Sequence, residues 1–292
     1  MSLLYQYTLY FAIYSVAGWI IETTFCTIKF RKFENKGFLI GPLCPIYATG
    51  AILTVLVMSL LPKNFIIISI ATIFFLGLIL ASLVEYFTGW LLEVLFNTKW
   101  WDYSEEKFNI KGRVCLENSI YFGVMCVILV KVVHPVVISI INMLSPVWTM
   151  YLALIFIVFL FSDIIITVFT VLNLNKRLSS INAGMMIIKE KLDSFEWYNT
   201  FGIKERIQRL YENRDKENPI FTLVMSLHEN IKRIESDNKS LQIRILQAFP
   251  DLKSLKYPEY LNAIKEQIGI FRHRKSKGNP QDIVNIKREP EI

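Results

Sequence analysis

KGFLIGPLCPIYATG, residues Lys36 to Gly50, opens the second long apolar segment of a 292-residue chain. Glycine or proline stands at Gly37, Gly41, Pro42 and Pro45, where a regular membrane helix would carry leucine. Such residues break a helix. Irregular backbone at membrane depth is tolerated only where protein buries it or water reaches it. The stretch therefore asks what shelters it.

The chain around it is 53% hydrophobic, with a mean hydropathy of +0.39, too apolar for a soluble domain. Its apolar residues gather in blocks of roughly 20 or more, the length that crosses about 30 Å of hydrocarbon. Five spans are expected: Leu4–Ile28, Leu43–Leu61, Phe65–Phe96, Val114–Val133 and Val147–Leu172. Lys131, His134 and Pro135 interrupt the fourth, and its apolar remainder to Met143 either continues it or lies at the interface. The first block has no basic flank before it and carries Glu22, so it reads as a retained span rather than a cleaved signal. The fold class expected is all-α and polytopic.

Lysine and arginine sort the connections. Lys29, Arg31, Lys32 and Lys36 follow the first span, and only Lys63 follows the second. Lys99, Lys107, Lys111 and Arg113 follow the third, while Asn142–Pro146 holds no basic residue. The alternation predicts an outside N-terminus and a cytoplasmic C-terminus.

An internal repeat accompanies this topology. Gly18-Trp19-Ile20-Ile21-Glu22 matches Gly89-Trp90-Leu91-Leu92-Glu93 at an offset of 71 (89 − 18). Lys32-Phe33-Glu34-Asn35-Lys36-Gly37 matches Lys107-Phe108-Asn109-Ile110-Lys111-Gly112 at 75, and Ile46-Tyr47 matches Ile120-Tyr121 at 74. The unit is span, loop, span, so the halves, about 4–61 and 65–133, form a parallel repeat, with the fifth span outside it. The opening stretch thus has a counterpart in Lys111–Gly123, which enters the membrane through polar residues. Paired broken segments of this kind mark binding sites in many transporters.

Ionisable groups within spans cost roughly 2.5–3.5 kcal/mol each and mark function by default. Glu22, Glu85, Glu93, Glu117 and Asp163 lie in or at spans here. Glu22 and Glu93 are equivalent by repeat and close enough to the loops to pair with basic residues such as Arg113. Glu85, Gly89 and Glu93 share one helix face, which must line a cavity or meet polar partners. Asp163 is deep and reads either as part of an ion, proton or substrate path or as a structural acid. With Asn118, Tyr47, Tyr121 and Arg113, these carboxylates form the candidate substrate- or ion-binding set. Arg113 is also expected to pin its loop by pairing with Asp102 or Glu117. Gly37, Gly41, Pro42, Pro45, Trp101 and Asp102 are the expected structural loop residues. Trp100, Trp101 and Tyr103 read as an interfacial aromatic belt or as a folded loop over a cavity.

Cys26, Cys44, Cys115 and Cys126 form no CxxC pair and read as small apolar residues. No metal site, cofactor, catalytic residue set or ATP-binding motif is expected. After Asn173 the character changes. Residues 175–292 hold 22 Lys+Arg and 16 Asp+Glu, with apolar residues at helical spacing. A cytoplasmic helical region, 175–271, is expected to follow a membrane domain, 1–174, and to end in a basic flexible tail, 272–292. Asn218-Pro219 and Tyr257-Pro258 are expected to start helices and Phe249-Pro250 to end one.

YSVAGWIIET, KGFLIGPLCPIY, WWDYS, FNIKGRVCLENSIYFG and LKSLKYPEYL resemble the bacterial membrane-protein family named "putative ABC transporter permease, type IV". The resemblance implies a multi-pass protein of the bacterial plasma membrane, with any ATPase on a separate chain. The expected function is permease-like transport of a small or cationic solute through a carboxylate-lined cavity at the repeat interface. The alternative is a scaffold or sensor whose tail binds a partner. A lipid-modifying enzyme using Arg113 and a carboxylate ranks third. The bilayer is the expected partner, nucleic acid is not, and a homo-oligomer is left open.

Overall fold

The computed structural model describes residues 3–31, 33, 35–61, 70–193 and 239–267. The expected helix start at Asn218-Pro219 and the basic tail lie outside these residues.

The first apolar block folds as α1, Leu3–Phe30. An irregular loop follows, and α2 begins only at Pro45, running to Leu60. Proline suits a first helical position, where no backbone donor is needed. The glycines and prolines therefore spend residues 37–44 on a loop and leave α2 just 16 residues long. The third block forms α3, Ile70–Phe96. After a two-residue strand, β1 (Thr98–Lys99), and a folded loop comes α4, Leu116–Ile128. A π turn, Leu129–Val133, leads directly into α5, His134–Asn142. Pro135 cannot donate to a carbonyl one turn back, and the wider turn accommodates that gap without ending the helix. The apolar remainder to Asn142 thus continues the fourth span.

The last apolar block forms α6, Pro146–Asp193. It passes the expected span end at Leu172 without a break. Polarity changes there, but lysine, arginine, leucine and alanine all sustain a helix. Leaving the lipid and ending the helix are separate events. Among the described residues, four stretches are long and apolar enough to cross a membrane: Leu3–Ile28, Ile70–Phe96, Leu116–Asn142 and Pro146–Gly184. Apart from the two short strands and the connecting loops, the described residues are helical.

α1 packs on α2, and α3 on α4, as two hairpins; α2 also meets α3, and α6 lies against α1. Close approach is built in at Gly77, where a Cβ would stand 2.3 Å from the Cys126 Cβ, and at Gly18, where it would meet the Tyr47 Cβ at 2.4 Å. All four cysteines are buried, and none is in a disulfide.

The chain then returns to the loop end of the bundle. α7 (Lys239–Ala248), β2 (Lys253–Ser254) and α8 (Pro258–Gln267) form a cap. α7 ends before Phe249-Pro250 and α8 begins at Pro258, both as expected. β2 pairs antiparallel with β1, Thr98 opposite Ser254. Ile245, Leu246, Leu252 and Leu261 close a core with Phe96, Trp100, Val171, Leu174 and Leu178. Trp100 is 3% exposed within it, so these aromatics form a folded loop rather than a lipid-facing belt.

Candidate functional site

Both hairpins carry the same departure from a simple pair of helices. The Cys44 N–H donates to the Ser15 carbonyl at 2.9 Å, 15 residues (30 − 15) before the end of α1. At 1.5 Å per residue that is about 22 Å from the helix end. In the second hairpin Arg113, three residues before α4, packs on Gly89, 7 residues (96 − 89) before the end of α3, or about 10 Å, and Ser82 Oγ donates to Ser119 Oγ in the first turn of α4 at 2.7 Å. Each loop therefore climbs alongside its preceding apolar helix before the next helix starts. The opening stretch is such a loop.

Asp163 of α6 shelters it. The Ile40 and Gly41 N–H groups donate to the two Asp163 oxygens at 2.8 and 2.9 Å. Thr167 Oγ1 donates to the same carboxylate at 3.3 Å. A Cβ on Gly41 would stand 2.8 Å from Asp163 Oδ2, so glycine is what allows this approach. From the cap, Arg244 donates to the Gly37 and Leu39 carbonyls, and Lys36 Nζ donates to the Gln247 carbonyl at 3.4 Å. Burial pulls the Arg244 guanidinium below its ordinary value, and Asp163 works against that shift. Gly37 packs near Trp19, whose Nε1 donates to Asn35 Oδ1 at 2.6 Å. Pro42 is exposed, and Pro45 opens α2.

Between the hairpins lies a set of acids and tyrosines. Tyr47 Oη donates to Glu22 Oε2 at 2.6 Å. Tyr103 Oη donates to Glu85 Oε1 at 3.3 Å. Glu85 is 5% exposed, and its second oxygen, Oε2, is buried with no hydrogen-bond partner among the described residues. Glu22 and Glu85 lie close enough for their charges to interact. Burial, then the Glu85 and Glu22 carboxylates, push the Tyr103 phenol well above its ordinary value. It therefore remains a neutral donor.

A third group secures the second loop. Arg113 Nε and Nη2 donate to Glu93 Oε2 at 3.1 and 2.5 Å, and Nη1 donates to Tyr86 Oη at 3.0 Å. The guanidinium also lies 5.1 Å from the Tyr86 ring centroid. The Glu93 hydrogen bond, against the cost of burial, raises the Arg113 pKa. Trp101 Nε1 donates to the Arg113 carbonyl at 2.8 Å, and both residues pack on Gly89. The face of Glu85, Gly89 and Glu93 thus meets polar partners, as its spacing predicts. The pin expected between Arg113 and Asp102 or Glu117 is instead made with Glu93, whose pairing with a basic loop residue such as Arg113 was also expected.

Asp102 serves the cap, ion-paired with Lys253 and, at 3.8 Å, with Lys99. Burial alone would raise its carboxyl; hydrogen bonds from Lys253 and Ser104 outweigh that and bring it from 3.8 down to about 2. Its depressed value means that its stabilisation is fully present above about pH 4 and is lost as pH falls through about 2. Asp102→Asn should loosen the cap at neutral pH by on the order of 1 kcal/mol. Faster proteolysis after Lys253 or Lys256 would register it.

A family model described as "Putative ABC-transporter type IV" matches residues 9–168. The chain belongs to that family. Searches of the curated proteins and of the solved structures find no match. With its apolar helices, this type IV chain is a multi-pass membrane protein.

Within the type IV chain, the predicted residues divide into three sets. Glu22, Tyr47 and Glu85 converge. Glu93 and Arg113 pair beside them, and Asp163 anchors the first loop. Glu117 and Tyr121 are exposed at the start of α4, joined by a Tyr121 Oη to Glu117 Oε1 bond of 3.3 Å; Asn118 is half-buried there. Three residues escaped sequence reasoning: Tyr103, Arg244 and Lys253. Tyr103 had a signal, a tyrosine two residues beyond a tryptophan pair in a loop already suspected of folding. The two basic residues had none, because their partners lie 205 and 151 positions away.

Proposed function

We infer that this chain is a permease-like component that moves a small cation, or a solute coupled to protons, along a path through Glu22, Tyr47, Glu85 and Tyr103. The observation that carries this reading is the buried Glu85 Oε2, unpartnered among the described residues, in a group of side chains drawn from both hairpins. A buried carboxylate oxygen without a partner is costly and is retained where a ligand uses it.

The finer topology belongs to the same reading. Five spans form two parallel repeats plus α6, with α2 completing the first repeat. The climb of both loops alongside the preceding helix supports the repeat, as do Cys44 and Cys115, each the residue before its helix. Asn35 Oδ1 accepts the Gly37 N–H at 3.2 Å, and Asn109 Oδ1 accepts the Gly112 N–H at 3.1 Å. The basic loops and the cap then face the cytoplasm of a bacterial cell, with residues 1–174 as the membrane domain and 175–271 as the cytoplasmic helical region. The family name supports an ATPase on a separate chain.

Flux in proteoliposomes tests this. Glu85→Gln keeps shape but removes the charge, and cation or proton flux should fall by about two orders of magnitude in a variant that still purifies as a folded species. Flux unchanged in both Glu85→Gln and Glu22→Gln would sink the reading.

A further inference from the structure

Hydroxyls in membrane helices normally turn back onto the carbonyl four residues earlier. Thr8, Thr54, Ser119 and Thr170 all do so here, at 2.8 to 3.0 Å. Three hydroxyls of α1 do not. Ser15 Oγ, Thr23 Oγ1 and Thr27 Oγ1 are buried and have no hydrogen-bond partner among the described residues. Ser15 is 0% exposed and Thr23 4%. Among the described residues, these three are the buried serine and threonine hydroxyls without a partner.

At 100° per residue, Ser15, Glu22, Thr23 and Thr27 fall within an arc of about 140° on α1. From Ser15 to Thr27 is 12 residues (27 − 15), or about 18 Å, more than half the hydrocarbon thickness. Beside Ser15, Tyr14 is 3% exposed, and its hydroxyl lies 2.6 Å from His134 Nδ1. Tyr10 meets the same imidazole edge-on, with centroids 5.4 Å apart. His134 follows directly on the π turn, a distortion frequent at functional sites. Glu85 Oε2 adds an unpartnered acceptor to the hydroxyls.

We propose that α1 forms one wall of a water-filled proton path. It starts at the Tyr14–His134 pair, passes Ser15 to the Glu22 and Glu85 carboxylates, and continues by Thr23 and Thr27 toward the loop end. A hydroxyl both donates and accepts, so it can bridge waters without holding a fixed charge. Buried polar groups of this kind are satisfied by water when protein does not satisfy them. The proposal rests on the reading of Glu22 and Glu85 as the transport site and specifies the proton as the ion that crosses there.

The test uses the full chain in liposomes holding a pH-sensitive dye, driven by an imposed potential. Ser15→Ala and Thr23→Val should each lower proton flux about tenfold, whereas Thr23→Ser, which keeps the hydroxyl, should retain it. Melting temperature supplies a second readout. At a wetted site Thr23→Val loses stability, while at a dry one the matched apolar group is neutral or stabilising. Wild-type flux in both variants, or a Thr23→Val protein that melts higher, overturns the path. If the wild type moves another cation but no protons, and that flux needs Glu85, the proton path falls while the transport site stands.

Discussion

Asp163→Ala should destabilise the protein by about 3–5 kcal/mol, the loss typical of a buried charge partner. Two backbone N–H groups, those of Ile40 and Gly41, would lose their acceptor. Each buried orphan costs about 1–3 kcal/mol. Arg244, on the far side of the loop, would lose its compensating charge as well. Asp163→Asn would recover part of this through its one remaining oxygen, with its NH2 group facing an N–H. Thermal unfolding in detergent measures the loss. Thiol labelling locates it, since Cys44 is buried behind this loop and should react faster in the variant. A melting temperature like that of the wild type would show that the loop is held by other contacts.

Arg113→Ala should cost about 2–4 kcal/mol, below the full value for a buried pair because both partners retain some exposure. The side chains of Arg113 and Glu93 are 14% and 11% exposed. Removing the arginine leaves Glu93 charged against the bundle and frees the loop residue whose carbonyl holds Trp101. Lysine would restore the charge but not the fork that reaches Glu93 and Tyr86 together. The paired variant Arg113→Ala/Glu93→Gln should regain at least half of the loss, because no unpaired charge remains. If the double variant is as unstable as the sum of the singles, the ion pair is not the source.

The membrane helices were legible because hydrophobic length is a local property. Leu3–Ile28 agrees with the expected Leu4–Ile28 nearly to the residue, and Ile70–Phe96 shares the end of the expected Phe65–Phe96, whose start lies outside the described residues. The break at Gly41-Pro42 was legible for the same reason, since glycine and proline act on the backbone where they stand. Its anchor was half legible. A carboxylate at 163 in apolar sequence announces a polar partner, but only folding shows that the partner is backbone 123 residues away. Arg113 illustrates the limit: Glu93, Asp102 and Glu117 were all expected as acids that could receive it, and only the loop's path chose Glu93 among them. α6 runs 21 residues (193 − 172) past the expected span end at Leu172, because polar residues that leave the lipid can still sustain a helix.

The cap has a consequence for how the protein is made. Residues 239–267 hold the first loop through Arg244 and Lys36 and the second through Lys253 and the Asn97 carbonyl. A ribosome delivers them after every membrane helix has emerged. Until then the grooves beneath Phe38 and Trp100 stay open, and the nascent chain presents apolar surface at the loop end. Docking of α7 and α8 is therefore the step that distinguishes a finished chain from a broken one. A protease patrolling the membrane could read that difference directly, degrading chains cut short before Lys239 even when all their spans are correctly inserted.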